Sequence, residues 1–526
     1  MSKSVALDTP LLRLSAGDVF TLRDAFQGVC IMGGIGSGKT SGSGQALAGA
    51  YLRAGMGGLV LCAKPEEAEL WRRYCAQHGR SGSLMEFDGT RQGFNFIDYE
   101  LARQGADGLN AVIECLMRVL EIARSASPTP GRAGESFWDD TTRQLLRNSI
   151  PVLYAATGTV TMESIVAFVR SAPQSPAQMS DPDWQAQSYF FGCFVDAVGR
   201  LDDATGERTT AYWRGDFATL DQKTRGNIII SLTTTLDRFN HGWLRDAFCG
   251  QTSMVPELTF HGMVILLNMP ALTRNEDGII AQQLFKYMWQ RAVLARNALV
   301  PQHRERPVFL WADEAQYFFN SYDGEFLSTA RGSRACTVFL SQSLPTYYAK
   351  MGGDNAHDRV HHLLGNFATR IWHNNACAET NEWAAKTIGR ALQQRSNYSE
   401  GEGTNRNFGM NMGGGSNWGT NSSHGSSSSS SQGGGSYSRN SSGGSSQGGS
   451  DNWGRNRGTD TSTNVSRGYS EQMDYLIEPG QFSRMLKTGG PNNANRVSAV
   501  WYQAGRQFTY SGGNALLAEF AQGTVA

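Results

Sequence analysis

Apolar residues along this chain come in two rhythms. Short, nearly continuous runs of four or five residues occur at Gly28 to Met32, Gly58 to Cys62, Met263 to Leu267, Val308 to Trp311, Thr337 to Leu340 and Thr369 to Trp372. Runs without polar alternation are those of strands covered on both faces. Helix-compatible stretches separate them, and that order predicts an α/β fold with a mostly parallel sheet. From Leu101 to about Leu220 the rhythm changes: LNAVIECLMRVLEIARSA, FWDDTTRQLLRNSIPVLYAA and TMESIVAFVRSA each place apolar residues at i, i+3, i+4 and i+7. No comparable strand separates them, which predicts an all-α domain inserted in the α/β core. Beyond Tyr475 the pattern is mixed again, and VSAVWYQAG predicts an edge strand.

Residues 400–468 carry neither rhythm, being about half Gly plus Ser. Such a segment cannot offset its chain entropy by apolar burial, so a long, disordered Gly/Ser-rich insertion is expected. Trp418, Tyr437 and Trp453, with Arg439, Arg455, Arg457 and Arg467, are spaced through it. They could stack on single-stranded nucleic acid, although a solvated linker is the simpler reading.

Length and charge narrow the classes. The 526 residues suffice for about three domains and a large core, which excludes a small disulfide or metal scaffold. Lysines and arginines number 47 and acidic residues 47, so binding of nucleic acid by bulk positive charge is excluded and any such contact must be local. The eight cysteines show no C-x-x-C pair, and no apolar run reaches the roughly 18 residues of a membrane span. The expectation is a cytosolic chain with reduced thiols. His357, His361, His362, His373 and Cys377 fit no common tetrahedral metal spacing and read as ordinary histidines.

Candidate chemistry begins where the first apolar run ends. Gly33-Gly34-Ile35-Gly36-Ser37-Gly38-Lys39-Thr40 satisfies G-x-x-x-x-G-K-[ST] between a strand and the helix-compatible GQALAGAYLRAG. In such a loop glycines let backbone N–H groups turn in on phosphate, and the helix N-terminus adds its positive end. Lys39 is expected to reach the β- and γ-phosphates of ATP, and the Thr40 hydroxyl to ligate Mg²⁺. The run Val308 to Trp311 delivers Asp313 and Glu314 to its carboxyl end, where ligands of doubly wound sheets bind. Asp313 would complete the Mg²⁺ shell and Glu314 would polarise an attacking water; capping of a following helix is the alternative. Arg331 and Arg334 precede the next apolar run, which ends in Ser341-Gln342-Ser343. In ring ATPases a strand-end glutamine senses the γ-phosphate, and an arginine at a subunit edge completes the neighbour's site. The loop alone also suits kinases, but the helical insertion and Gln342 argue against them.

Taken together, these residues resemble the type IV secretion coupling proteins of the TraG/TraD kind, within the FtsK/HerA superfamily of P-loop ATPases. The resemblance runs from about Leu12 to Gly389 and more weakly over Tyr475 to Tyr510. Cys62-Ala63-Lys64-Pro65-Glu66 matches the lysine and glutamate of the family's Asp-Pro-Lys-Gly-Glu element but not its aspartate or glycine. Phe94-Asn95-Phe96-Ile97-Asp98 is similar to the Phe-Asn-Pro-Leu element before the family's all-α domain, and Phe137-Trp138 with Leu145-Leu146 to that domain's signature. Ser328 to Gln342 resembles the Ala-Arg-Ser-Arg-Gly segment and Gln-Ser strand end, and Lys386-Thr387-Ile388-Gly389 closes the part before the final strand. The family's two N-terminal membrane helices have no counterpart before the loop at residue 33, so direct anchoring is in doubt.

The resemblance implies a RecA-like P-loop core in two parts, residues 1–100 and 225–399, around an all-α domain at 101–224, with the insertion at 400–468 and a core return at 469–526. It implies ATP hydrolysis with Mg²⁺ by a homo-hexamer that moves DNA through a central pore, with Glu314, Lys39, Arg331 and Gln342 catalytic. Relaxase, type IV secretion components and a membrane-anchored recruiting protein are the implied partners, with a cytoplasmic or peripheral inner-membrane location. Alternatives are a nucleotide-gated docking module for a relaxase or effector, and an ATPase of a mobile-element or phage-defence system. Lys223, Arg225, Arg132, Arg143 and Arg147 are candidates for DNA contact, each equally readable as solvated surface.

Overall fold

The computed structural model of the protein describes residues 6–104, 108–126, 135–352, 355–409, 421–429, 437–446 and 456–522. The chain divides into two compact units, Met1–Thr380 with Phe482–Ala526, and Asn381–Gln481.

In the first unit a hairpin of β1 (Pro10–Arg13) and β2 (Val19–Thr21) leads into β3 (Val29–Met32), β4 (Gly57–Leu61), β5 (Leu84–Phe87), β6 (Val264–Leu267), β7 (Val308–Ala312), β8 (Ala335–Ser341) and β9 (Thr369–Trp372). The second unit holds β10 (Arg390–Gly409), β11 (Asn421–Ser429), β12 (Tyr437–Ser446) and β13 (Asn456–Tyr475), after which β14 (Arg496–Gln503) and β15 (Ala515–Ala521) return to the first. Its nine-stranded sheet runs β15-β14-β9-β3-β8-β7-β4-β6-β5. From β9 to β5 every pairing is parallel, while β14 pairs antiparallel with both β9 and β15.

All six apolar runs become strands, and β3, β4, β6, β7 and β8 are buried at every position. Helices cover both faces, so a side chain on either side of the pleat meets protein. On one face Trp71, from the helix Pro65–Gln77, stacks on Phe309 of β7 at 5.6 Å. That ring also needs Gly58: a Cβ there would lie 2.2 Å from Phe309 Cζ. The helix Ala271–Ala295 supplies a second buried surface, including Leu284, Phe285, Met288 and Trp289. The expected edge strand VSAVWYQAG is instead an inner one, β14. Its Val497 to Trp501 are buried, and the true edge is β15, whose buried and exposed positions alternate.

Between β5 and β6 the chain is helical, as the periodicity predicts. Gly108–Ala126, Glu135–Thr157, Met162–Arg170, Tyr189–Val198 and Gln222–Asp237 are its main members, and the run continues to Gly242–Phe248. Phe168, Phe190, Trp213 and Phe217 form its aromatic centre, with successive ring centroids 4.7 to 4.8 Å apart. The buried Trp213 indole donates to Asn148 O at 2.9 Å. Among the described residues no single helix is long and apolar enough to cross a membrane; Asp139–Thr157 and Met162–Arg170, bent by 112°, reach that length only as a pair.

The second unit includes the described parts of the Gly/Ser-rich insertion. Its described residues form an antiparallel sheet, β10-β13-β12-β11, with Gly409 opposite Asn456 and Tyr437 opposite Tyr469. A ladder needs only backbone donors and acceptors, which a Gly/Ser chain has in full. The apolar alternation by which a half-buried strand is read is missing from the sequence here. Trp418, Trp453, Arg455 and Arg132 lie outside the described residues.

Candidate active site

The strand order assembles the site. Because β8 lies between β3 and β7, three carboxyl-terminal strand ends stand side by side: the glycine loop after β3, Ser341-Gln342 after β8, and Asp313-Glu314 after β7. Parallel strands place all three at one rim, where open α/β sheets bind ligands.

The loop is tied down at its start. Gly33 N–H donates to Ser341 O at 3.2 Å and Gly34 N–H to Asn374 O at 2.9 Å. Gly36 and Gly38 take φ of 70° and 81°, a region that suits glycine. Gly38 is fixed twice over, since a Cβ there would lie 2.5 Å from Val497 Cγ2, at the start of β14. Ile35 stands at the crest, 89% exposed. After Lys39 the backbone makes one wide turn, Thr40–Gly44, in which Gly44 N–H reaches Lys39 O at 2.9 Å. The helix Gln45–Arg53 follows directly.

Two carboxylates face this loop with different partners. Thr40 Oγ1 donates to Asp313 Oδ2 at 2.7 Å, across 273 residues of sequence. Glu314 is 3% exposed and takes four side chains: Lys64 Nζ at 3.0 Å, Gln316 Nε2 at 3.0 Å, Gln342 Nε2 at 3.2 Å and, at 3.9 Å, Lys39 Nζ. Its backbone is left-handed, with φ 49° and ψ 47°, at a cost of roughly 1 kcal/mol for a residue with a Cβ. That turn aims the carboxylate back toward the loop. Burial alone would raise the Glu314 carboxyl, but the Gln316 amide, the Lys39 charge, Lys64 and Gln342 outweigh it and hold the group below the usual carboxylate range.

Of the expected residues, Lys39, Thr40, Asp313, Glu314 and Gln342 therefore converge. Arg331 does not join them. It lies exposed in the turn before β8, and Gln342 follows the far end of that strand, about 20 Å away at 3.3 Å per residue. The DNA-contact candidates also separate. Arg225 is buried and donates to Leu220 O, and Arg143 is bound to Glu114, so both are committed within the chain. Lys223 and Arg147 are exposed.

Other residues take part that motif reading does not single out. Gln316 joins Glu314 to Ser341, whose hydroxyl donates to Gln316 Oε1 at 2.8 Å. Asn375 Nδ2 donates to Gln342 O at 2.8 Å and fixes that strand end. His373, fully buried after β9, lies 2.7 Å through Nε2 from the Ser43 hydroxyl beneath the loop. Glu67, rather than the matched Glu66, turns inward and accepts from Ala63 N–H at 2.8 Å. Their common signal is position in the segments that follow the carboxyl ends of β4, β7 and β9.

The donor set suits a nucleoside triphosphate with Mg²⁺. The Ser37 hydroxyl is buried in the loop without a hydrogen-bond partner among the described residues, and Thr40 and Asp313 bring two hard oxygens together, the ligand type Mg²⁺ takes.

No family model matches the sequence, and no curated protein matches it. Among solved structures, the chain is similar to the bacterial conjugative coupling protein TrwBΔN70 in an unbound monoclinic form, with 12% identity, 96% of this chain and 86% of that one covered, and a TM-score of 0.50. It is equally similar to TrwB in complex with the non-hydrolysable GTP analogue GDPNP, with 14% identity, 97% and 90% covered, and a TM-score of 0.50. The likeness is one of backbone, and it establishes that this chain carries the α/β fold of the conjugative coupling protein TrwB, the fold that the sequence resemblance implies.

Proposed function

We propose that the protein is an ATP-hydrolysing DNA translocase of the coupling-protein type, acting as a homo-hexamer around DNA. One observation carries the reading: Thr40 and the Asp313-Glu314 pair, which sequence keeps 273 residues apart, meet within hydrogen-bond distance beside Lys39 and Gln342. A helix-capping role for the acidic pair would not require that meeting. The triphosphate analogue bound by TrwB supports a nucleoside triphosphate as the ligand of this fold.

Thr40 and Asp313 would hold Mg²⁺, which when bound neutralises charge building on the phosphate oxygens. Backbone N–H groups of Gly36 and of Gly38 to Thr40 would bind the phosphates, the Gly33 and Gly34 N–H groups being held by Ser341 and Asn374, and Lys39 would leave Glu314 for them. Glu314 orients the attacking water and accepts its proton at a carboxylate oxygen. Gln342 lies against that same carboxylate, so it can report whether a γ-phosphate is present. Arg331, a strand's length from its own Glu314, can complete a site only in the next subunit of a ring.

The test is ATP turnover by purified protein with and without single- and double-stranded DNA. DNA is expected to stimulate turnover, and EDTA to abolish it. Lys39→Ala should lose nucleotide binding, whereas Glu314→Gln should bind ATP and turn over roughly 10²- to 10⁴-fold more slowly. A rate indifferent to DNA and to Lys39→Ala would overturn the reading.

A further inference from the structure

The second lysine on Glu314 has a more constrained setting than the first. Lys64 follows β4, the strand beside β7, and its backbone is pinned from several sides. Gln282 takes both polar groups of Cys62, accepting from its N–H at 2.8 Å and donating to its carbonyl at 2.9 Å. Ala63 N–H donates to Glu67 at 2.8 Å, and Leu272 N–H donates to Ala63 O at 3.0 Å. Pro65, at the first position of the helix Pro65–Gln77, fixes the next φ and holds Lys64 in an extended conformation at φ −121° and ψ 149°. The Lys64 ammonium crosses to β7's carboxyl end and meets Glu314 Oε1 at 3.0 Å, with 44% of the side chain exposed against 3% for Glu314.

The same oxygen is 3.9 Å from Lys39 Nζ. Phosphate binding draws Lys39 away, and a carboxylate left in a buried site without a cation is strongly disfavoured. Lys64 is free of that duty, because it comes from a different strand end. We propose that Lys64 is a positioning residue for hydrolysis: it keeps Glu314 paired and correctly aimed when Lys39 turns to the nucleotide. The inference rests on the proposed ATPase reading and adds to it a residue that acts through the base rather than on the phosphates.

Steady-state kinetics of Lys64→Met and Lys64→Arg in the full chain, beside Glu314→Gln, test it. Lys64→Met is expected to lower kcat roughly 10- to 100-fold, as loss of an orienting partner commonly does, with KM for ATP within about twofold. Lys64→Arg, which keeps the cation, should recover most of the loss. In Glu314→Gln the added Lys64→Met change should have little further effect, because the two residues act as one unit. Equilibrium binding of a fluorescent ATP analogue checks that the variants keep the site. A Lys64→Met enzyme with wild-type kcat, a loss confined to KM, or equal damage by methionine and arginine would each overturn the proposal. If the wild-type chain and Glu314→Gln turn over alike, the ATPase reading itself fails instead.

Discussion

His373 lies completely buried at the carboxyl end of β9, under the loop that begins at Gly33. Burial, and after it the Lys39 charge, hold its imidazole down at about 3. An unfolded histidine titrates near 6.5, so between that pH and about 3 the unfolded chain carries a proton that the folded chain refuses. The native state is therefore fully favoured by this group above pH 6.5 and loses about 1.4 kcal/mol per unit as pH falls below it. Denaturant titrations at pH 7 and pH 5 should differ by about 2 kcal/mol on account of His373, and His373→Gln should show a correspondingly shallower pH dependence. Equal slopes in the two proteins would remove His373 as the cause.

Between elements, the loop after β7 is braced by a buried cation. Lys286, in the middle of the helix Ala271–Ala295, lies 2.5 Å from Asp323 Oδ2 and donates to Phe318 O at 2.6 Å. Gln290 and the Asn320 N–H complete the carboxylate's shell at 2.7 and 2.8 Å. The segment carrying Glu314 is thus fastened to a core helix a few residues beyond its strained turn. Lys286→Met leaves Asp323 buried without a cation, and urea unfolding should show a loss of about 3–5 kcal/mol. Lys286→Met with Asp323→Leu should cost less than the single change. A single-variant loss under about 1 kcal/mol, the size of a surface pair, would show that the brace carries little. Elements of this sheet differ in how plainly sequence announces them. β3, β4, β6, β7, β8 and β9 are near-continuous apolar runs because helices cover both their faces. β5, LMEF, stays hidden, since Met85 and Glu86 are only partly buried and Glu86 is bound to Arg72. The run SAVWY in β14 has the continuity of an inner strand, whereas ALLAEFA in β15 has the edge's alternation. In the site, the loop at Gly33 to Thr40 and the pair Asp313-Glu314 are legible as contiguous motifs after strands. Gln316 and His373 are not, and Lys64 is legible as a motif lysine but not as a partner of Glu314, because these roles depend on β4 lying beside β7 and β9 beside β3, and chain order does not state strand order.

At the scale of the whole molecule, the balanced charge and the position of Arg331 require the same thing of the proposed function, an assembly. A protomer with 47 cationic and 47 anionic residues has no net field to draw DNA, so a binding surface must be made by bringing local basic groups around one axis. In the proposed function Arg331 would need a neighbour for a different reason, since it precedes β8 whereas Gln342 follows that strand's other end. Its turn is nevertheless built firmly: the buried Arg296 donates to Ser333 O at 3.0 Å, Arg334 O at 3.2 Å and Arg306 O at 3.1 Å. Arg334 takes φ 51° in that turn. A firm turn presenting an exposed arginine suits a head-to-tail contact, in which one subunit's Arg331 enters the next subunit's site. Mixing separates this arrangement from a site complete in one chain. Arg331→Ala keeps its own phosphate loop but offers the neighbour no arginine, and Lys39→Ala does the reverse. Each variant alone should be nearly inactive. In an equal random mixture, about a quarter of the interfaces of a closed head-to-tail ring join an intact loop to an intact arginine, so ATPase should return toward that fraction of wild type. The recovery should need time for subunits to exchange, and should vanish on dilution below the ring's dissociation constant. If Arg331→Ala is fully active alone, or the mixture stays as inactive as its parts, Arg331 does not act across subunits.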